Sequence, residues 1–219
     1  GKIYGGLTGK SKAEFENGNS KFISYKNIFF NIDVNYAILE SVKVSEYENQ
    51  HLVKYGDVLF TGSSETAEEV GMSSSVTTNF EEPVYLNSFS FGVRFNEDIQ
   101  LIPEFSKYLF RSDFMRTEIA KTASGVTRFN VSKARFKNLQ IPIPPLSVQK
   151  EIVRILDTFT ELTAELTAEL TARKQQYSFY RKQFFDFNEE VKREPLGIIG
   201  EFQRGKRFVK DDMLPEGVP

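Results

Sequence analysis

The stretch that decides the fold of this chain is SVQKEIVRILDTFTELTAELTAELTARKQQYSFYRKQFFDF, which runs from residue 147 to residue 187. Apolar residues recur along it in alternating steps of three and four, with one stutter where two steps of four follow each other. This spacing is typical of the contact face of a coiled-coil helix, and no Gly or Pro interrupts it before Pro195. A helix of this length is about 60 Å long and cannot bury its apolar face within one small domain. The pattern therefore predicts a partner helix, from this chain or from another.

Two copies of Thr-Ala-Glu-Leu occupy the stutter, at residues 163–166 and 167–170. Each four-residue unit adds about 6 Å of rise and a net rotation of about 40° to a helix, whereas one base pair of B-DNA advances about 3.4 Å and about 35°. An added unit would lengthen and rotate whatever the helix separates, which predicts a helix that sets a spacing. The alternative is that these residues are only good helix formers that fill the helix.

Residues 1–145 show the pattern of a mixed α/β domain. Up to residue 103, short β-branched and aromatic runs bounded by Gly, Asn, Ser or Pro predict strands near 21–25, 57–61, 84–87 and 90–95. Pro103 opens a helical apolar pattern that extends to Ile119, and Ser132 is a candidate cap for a short turn ending at residue 138. Residues 139–143 are predicted to be extended, and two prolines end them. The predicted class is α+β, with a mixed domain over 1–145 followed by a long helix over 146–190.

The net charge of −2 hides two stretches of opposite sign. Residues 107–137 contain eight basic and two acidic residues, whereas residues 40–69 contain seven acidic and two basic residues. Because salt limits the range of a surface charge to about 8–10 Å, a local basic surface can attract phosphate groups on a slightly acidic protein. The charges therefore permit nucleic-acid binding, but two ordinary solvated surfaces explain them at least as well.

Several catalytic classes lack the residues that they need. The chain has no cysteine and a single histidine, His51, which we expect at the surface. The glycine-rich segment at residues 5–11 has three residues between its outer glycines, where a phosphate-binding P-loop has four. These absences disfavour a P-loop NTPase and catalysts built on cysteine or on several histidines, and we expect no metal site. No apolar run reaches the roughly 18 residues that cross a bilayer, so we expect no membrane partner and a cytoplasmic location.

A second repeat links the two ends of the sequence. The glycines at 200, 205 and 217 have the same separations as those at 1, 6 and 18. This repeat predicts that residues 195–219 begin a second copy of the amino-terminal domain and are cut off after Pro219, although three glycines can also align by chance. Because the first residue is Gly1 rather than methionine, we also expect a trimmed chain or a fragment.

The run from Asn130 to Asp157, NVSKARFKNLQIPIPPLSVQKEIVRILD, resembles the boundary between two regions of a known protein family. It is similar to the junction between target-recognition domain and conserved helix in the specificity subunits of type I restriction-modification systems. The most characteristic residues are Ile-Pro-Pro-Leu at 143–146, Gln149, and Ile152 with the Ile-Leu-Asp that ends the run. The Thr-Ala-Glu-Leu units resemble the spacer helix of this family, and residues 55–66 and 196–202 also fit it. The resemblance covers most of the chain.

The resemblance implies a non-catalytic, DNA-binding specificity subunit in a half-length or truncated form. In this family, two target-recognition domains each read one half of a bipartite double-stranded DNA site. Two helices form an antiparallel coiled coil that docks the modification (methyltransferase) subunits. The resemblance further implies that S-adenosylmethionine and ATP serve only partner subunits, which methylate adenine or, as the restriction subunit, cleave DNA.

This chain holds one recognition domain. We therefore expect it to read one half-site and to form an antiparallel homodimer through its helix, with a fixed spacer. The alternative is a coiled-coil assembly fragment that docks the methyltransferase subunits without binding DNA.

The candidate DNA contacts lie in loops of residues 1–145, where Lys and Arg are expected to bind phosphates and Asn27, Asn130 and Arg128 to read base edges. These candidates are Thr8, Lys10, Lys12, Tyr25, Lys26, Asn27, Ser63, Ser64, Thr66, Ser124, Thr127, Arg128, Asn130 and Lys133. The predicted dimer contacts along the helix are Ile152, Ile155, Phe159, Leu162, Leu166, Leu170, Tyr177, Tyr180 and Phe184.

Overall fold

The computed structural model describes residues 1–205, and the chain divides into two compact units between Leu162 and Thr163. The strands are β1 (Lys2–Gly5), β2 (Ser20–Ile23), β3 (Glu40–Val42), β4 (Val58–Thr61), β5 (Ser63–Ser64), β6 (Ser73–Ser75), β7 (Val84–Leu86), β8 (Ser90–Arg94), β9 (Ala123–Ser124) and β10 (Phe129–Val131). The α-helices are α1 (Tyr25–Phe30), α2 (Pro103–Leu109), α3 (Asp113–Lys121), α4 (Lys133–Phe136), α5 (Leu146–Phe184) and α6 (Leu196–Ile199). The four strands predicted from the sequence are present as β2, β4, β7 and β8, with ends that differ by one or two residues.

The strands form three sheets within residues 1–205. The largest has the order β1-β8-β4-β6 and is antiparallel throughout. In this sheet β1 pairs with residues 91–94 of β8. The other two sheets have the orders β5-β10-β9 and β3-β2-β7, and the pair β2-β7 is parallel. All four residues of β4 are buried, as expected for a central strand that is covered on both faces.

An aromatic core surrounds Phe60 of β4. The Phe60 ring packs against Phe91, Phe110 and Phe136, with centroid separations of 5.4, 5.3 and 4.9 Å. Stacked and edge-to-face pairs at these distances are the arrangements that aromatic rings favour. Four partly buried residues from later in the chain also pack against this core, and they are Leu139, Ile141, Ile152 and Val153. The first turns of α5 therefore belong to the amino-terminal unit, which extends past the predicted boundary at residue 145.

One carboxylate of the acidic stretch lies in the interior. Asp57 is fully buried and accepts hydrogen bonds from Arg94 Nε and Nη2, at 2.8 and 2.7 Å, and from the Tyr4 hydroxyl. Gly92 allows the Tyr4 ring to approach, because a Cβ atom at Gly92 would lie 2.3 Å from that ring. Asp57 therefore stabilises the sheet and adds nothing to the surface charge.

The helical region predicted after Pro103 consists of two helices. Pro103 occupies the first turn of α2, where its missing N–H costs nothing. The Ser112 hydroxyl caps α3 by accepting a hydrogen bond from the Met115 N–H, which starts the second helix. Ser132 caps α4 in the same way, as the sequence predicts. Residues 139–143 pair with no strand in the described part of the chain.

The predicted long helix is confirmed as α5, a continuous helix of 39 residues. It begins at Leu146, the first residue of the predicted range 146–190, and ends at Phe184, before the end of that range. Most of the predicted dimer contacts are exposed on α5, namely Ile155, Phe159, Leu162, Leu166, Leu170, Tyr177, Tyr180 and Phe184. Ile152 is instead partly buried against the aromatic core, so this predicted dimer contact packs within its own unit. The antiparallel coiled coil stays a prediction.

Beyond α5 the structure describes the chain only as far as Gly205. The short helix α6 is followed by residues 200–205 without regular structure. Most of the second recognition unit predicted over 195–219 therefore lies outside the described residues. None of the helices within residues 1–205 is long and apolar enough to cross a membrane.

Candidate nucleic-acid interface

An open pocket of about 590 Å³ lies where four segments of the amino-terminal domain meet. These segments are α1, the region from β5 to residue 69, the turn between β7 and β8, and the β9–β10 hairpin. The residues that line it are Tyr25, Phe29, Ser63, Ser64, Glu65, Glu69, Phe89, Thr127 and Arg128. We call this site the interface pocket. It brings together Tyr25, Ser63, Ser64, Thr127 and Arg128, all of which the sequence predicted as DNA contacts.

Hydrogen bonds to Ser63 join two sides of the interface pocket. The Tyr25 hydroxyl donates to the Ser63 carbonyl oxygen at 2.8 Å. Arg128 donates from Nε and Nη2 to Ser63 Oγ, at 3.1 and 3.0 Å. Ser63 itself is buried, so it positions its neighbours, whereas Arg128 is exposed and presents the other side of its guanidinium group.

Two further candidates lie on the hairpin that carries Arg128. Strands β9 and β10 pair Ser124 with Asn130, and both residues are exposed. The Asn130 side-chain amide donates to the Arg128 carbonyl oxygen at 3.2 Å, which ties this side chain to the hairpin. The hairpin therefore presents Ser124, Arg128 and Asn130 together.

The remaining candidates near the pocket are Lys26, Thr66 and Lys133, and all three are exposed. Lys26 follows Tyr25 in α1. The Thr66 hydroxyl donates to Glu69 at 2.9 Å, which orders the loop after β5. The Lys133 ammonium group lies 5.8 Å from the centroid of the Phe91 ring and remains accessible at the start of α4.

Asn27 occupies a different environment from the one that the sequence suggested. It is fully buried, its amide nitrogen donates to the Asn35 carbonyl oxygen at 2.9 Å, and its amide oxygen accepts from the Asn35 N–H at 3.0 Å. Both polar atoms thus hold the loop that follows α1. A side chain in this position cannot reach a base edge unless that loop unfolds, so the structure gives Asn27 a structural role.

Thr8, Lys10 and Lys12 do not line the interface pocket. The Lys10 ammonium group contacts Glu48 at 2.6 Å and Glu14 at 3.2 Å, and its side chain is almost completely buried. The hydrogen bond from Lys10, supported by bonds from neighbouring donors, lowers the pKa of Glu48 to about 2. Thr8 is hydrogen-bonded through its backbone to Gln50. Lys12 is exposed, and Lys10 is already neutralised within the domain.

The basic stretch 107–137 is partly internal. Arg111 donates to the carbonyl oxygens of residues 28, 29, 31 and 73 at 2.7–3.2 Å, and Arg116 donates to those of residues 68, 70 and 71 at 2.6–2.7 Å. Burial, with the like charge of Arg116, lowers the pKa of Arg111 to about 10. Lys107 is paired with Asp157 at 2.9 Å. The exposed cations at the end of the stretch are Arg128, Lys133, Arg135 and Lys137.

Sequence reasoning missed four residues of the interface pocket: Phe29, Glu65, Glu69 and Phe89. Phe89 carries the clearest signal, because a large apolar residue stands in a predicted turn, and it is 64% exposed. Glu65 lies within residues 55–66, a run noted from the sequence, and Glu69 follows three residues after that run. No group of three or more His, Asp or Glu residues that could hold a metal ion occurs among residues 1–205.

The described residues thus combine a mixed α/β domain that carries an open pocket with a long helix. The family model for the type I restriction modification DNA specificity domain matches residues 1–173. The chain belongs to this family, and the resemblance drawn from its sequence is confirmed.

The curated relatives are named specificity subunits of type I restriction enzymes. The EcoR124I/EcoR124II specificity subunit of Escherichia coli is 51% identical over 81 residues, which cover 34% of this chain and 20% of the relative. The EcoprrI specificity subunit of Escherichia coli is 43% identical over 123 residues, which cover 49% of this chain and 31% of the relative. The matched segments thus span less than a third of the length of these relatives.

Two solved structures share the fold. The HsdS subunit from Thermoanaerobacter tengcongensis matches with a TM-score of 0.51 and 18% identity, over 77% of this chain and 37% of that chain. A structure described as the basis of complex assembly and conformational transition of the type I R-M system matches with a TM-score of 0.57 and 19% identity. The match covers 84% of this chain and 42% of the chain in that structure. These similarities confirm the predicted fold class, a mixed domain followed by a long helix.

Proposed function

We propose that this chain is the DNA-recognition part of a type I specificity subunit and reads one half of a bipartite double-stranded site. Family membership and the names of its relatives support this assignment. The observation that carries it is the convergence of Tyr25, Thr127 and Arg128, from separate segments, on one open pocket. In this proposal the chain catalyses no step. S-adenosylmethionine and ATP are used by the methyltransferase and restriction subunits of the complex.

The charges around the interface pocket favour base edges inside it and phosphates at its rim. Glu65 and Glu69 repel phosphate, whereas carboxylate oxygens accept hydrogen bonds from the exocyclic amino groups of cytosine and adenine. The exposed cations of Lys26 and Lys133 are suited to phosphate contacts. Arg128 projects from the hairpin between these two environments.

The substitution Arg128→Ala tests base reading directly. We expect the variant to lose about 1–3 kcal/mol of discrimination at one base pair, because an arginine fork pairs with the edge of guanine. After the half-site has been found by selection from random duplexes, binding is measured with each base pair substituted, at two salt concentrations. Arg154→Ala, an exposed arginine on α5, is the control. Uniform weakening on all duplexes with a flatter salt dependence would show that Arg128 contacts phosphate instead.

We also propose that α5 pairs in antiparallel orientation with α5 of a second copy. Leu162, Leu166, Leu170, Tyr177 and Tyr180 are exposed along its predicted contact face, and a surface of this extent is rarely left uncovered on a soluble protein. A two-fold symmetric pair would hold two recognition domains for an inverted-repeat site. Sedimentation equilibrium should give a dimer at micromolar concentration, and a monomer under these conditions would contradict the proposal.

The spacing function of the helix is tested by inserting one Thr-Ala-Glu-Leu unit after Leu170. The insertion lengthens a helix by about 6 Å, so the preferred spacer between half-sites should increase by one or two base pairs. Binding is measured on duplexes in which only the spacer length varies. An unchanged preference would show that the repeat does not set the spacing.

The assembly-fragment alternative differs in one measurable property. Dimers that bind neither specific nor nonspecific duplex, but still bind methyltransferase subunits, would favour it. Retarded migration of duplex DNA by the dimer would favour the DNA reader.

A further inference from the structure

The first turns of α5 are joined to α2 at two separate points. The first point is Gln149, which is fully buried. Its amide oxygen accepts from the Ile102 N–H at 3.1 Å, and its amide nitrogen donates to the carbonyl oxygens of Gln100 and Pro144, both at 2.7 Å. Ile102 is the residue that precedes α2 and has no side-chain cap of its own. Gln149, in the first turn of α5, is therefore hydrogen-bonded to the residues at which α2 starts.

The second point is Asp157, which contacts two neighbouring residues of α2. The Lys107 ammonium group lies 2.9 Å from the Asp157 carboxylate, and the Tyr108 hydroxyl donates to the same carboxylate. The Tyr108 hydroxyl oxygen also lies 3.4 Å from the Thr160 hydroxyl oxygen. Although partial burial raises the pKa of Asp157, the hydrogen bonds from Tyr108 and Lys107 outweigh this effect and lower the pKa below its usual value.

These two points of contact fix the direction of the first turns of α5 relative to α2. Residues 149 and 157 are about 12 Å apart along a helix, and they contact α2 at its start and near its end in the same order. Between them, Ile152 and Val153 pack against the aromatic core. A single contact would leave a helix free to tilt, whereas two contacts at this separation restrict both its tilt and its rotation.

The chemistry at the two points also favours orientation over simple packing. A leucine at residue 149 would bury more apolar surface, whereas a buried amide is costly unless its hydrogen bonds are made. The Gln149 amide makes three such bonds, and the two that join it to Gln100 and Ile102 require a particular position of α5. Polar groups satisfied in only one geometry specify that geometry more sharply than apolar contacts do.

We propose that Gln149 and Asp157 are positioning residues that fix the direction of α5 relative to the recognition domain, and thereby limit which spacers the protein accepts. This inference rests on the proposed function only for its spacer consequence. The mechanical part, a joint between α2 and α5, concerns this chain alone.

The mechanical part is tested by distance measurement between two spin labels. Because the chain has no cysteine, the substitutions Glu46→Cys and Lys174→Cys create the only labelling sites, one exposed on the domain and one exposed on α5. Labelled protein is diluted into excess unlabelled protein, so that only distances within one chain are observed. We expect a narrow distribution that Asp157→Ala widens by about twofold or more.

The matched control is Glu161→Ala, which removes an exposed carboxylate one turn further along the same helix. It should leave the distribution as narrow as before. A broad distribution without the Asp157 substitution, or equal widths for Asp157→Ala and Glu161→Ala, would overturn the inference. If Asp157→Ala does not fold, Asp157→Asn replaces it, because that variant removes the ion pair with Lys107 but keeps an acceptor for Tyr108.

The spacer consequence is tested on duplexes that carry two half-sites. Asp157→Ala should keep its affinity for a single half-site, and its preference for the best spacer over neighbouring lengths should fall by about fivefold. A loss of folding alone would lower both quantities together. Unchanged spacer selectivity in Asp157→Ala would overturn the inference. If the unsubstituted protein has no spacer preference, the proposed spacing function fails, while the spin-label result still decides the joint.

Discussion

Phe60 in the amino-terminal domain is completely buried among three other aromatic rings, whereas Leu166 on α5 leaves 67% of its surface exposed. The domain packs its aromatic core within one chain, and buried charges such as Arg111 and Asp57 find partners there too. In the distal part of α5, by contrast, apolar residues such as Leu166, Leu170 and Tyr177 are exposed along the predicted contact face. The core of the domain is thus formed within one chain, whereas the proposed dimer would cover the exposed apolar face of α5.

The largest expected effect is on the domain side of this comparison. Phe60→Ala should lower the free energy of unfolding by about 3–5 kcal/mol, because it removes the ring at the centre of the aromatic core and leaves a cavity. Denaturant titration of the amino-terminal unit measures this change. A loss below about 1 kcal/mol would show that the core can collapse around the cavity, so that the domain is less tightly packed than its burial indicates.

The second effect is on the helix side. The double substitution Leu166→Ser and Leu170→Ser should raise the dimer dissociation constant by about 100-fold or more, because each leucine loses roughly 1.5–3 kcal/mol of burial. The denaturant midpoint of the domain should not move. Ala168→Ser, an exposed substitution off the contact face, is the control in sedimentation equilibrium. Equal association of the double variant and this control would place the dimer contact elsewhere.

The smallest expected effect is on the polar surface of the domain. Since the pKa of Glu48 is lowered to about 2, the contribution of Glu48 to stability is complete above its unfolded pKa of about 4.3 and is lost as the pH falls towards 2. A carboxyl-carbon NMR titration should give a midpoint near the folded value. In Lys10→Met the midpoint should rise by about one unit or more. An unchanged midpoint would show that Lys10 is not held at Glu48, and would return Lys10 to the candidate phosphate contacts.

The fold could be predicted best where a periodic pattern dominates. The start of α5 was predicted to within one residue, because an apolar repeat and two prolines mark it together. The break between α2 and α3 was not predicted, because the apolar spacing continues through Ser112 and only the cap reveals the new helix. The packing of Ile152 against the aromatic core was not predicted, since a heptad does not show which apolar positions a neighbouring domain covers.

The candidate site was harder to predict than the fold because it depends on contacts between distant segments. Loop chemistry was enough to select Tyr25, Ser63 and Arg128, which the structure brings together. It was misleading for Asn27, whose type suits both base recognition and loop closure. The charge count over 107–137 was misleading in the same way, because a sequence does not show that Arg111 is surrounded by carbonyl oxygens.

The order of the largest sheet has a consequence for synthesis on the ribosome. Strand β1 leaves the ribosome well before its partner residues 91–94, so β1 remains an unprotected edge during a long part of translation. The bonds from Gln149 to residues 100 and 102 can form only after that, and the exposed distal face of α5 is synthesised later still. On the proposed pairing of α5, we therefore expect each nascent chain to complete its amino-terminal domain before a second copy can bind the helix, which protects against pairing between partly synthesised copies.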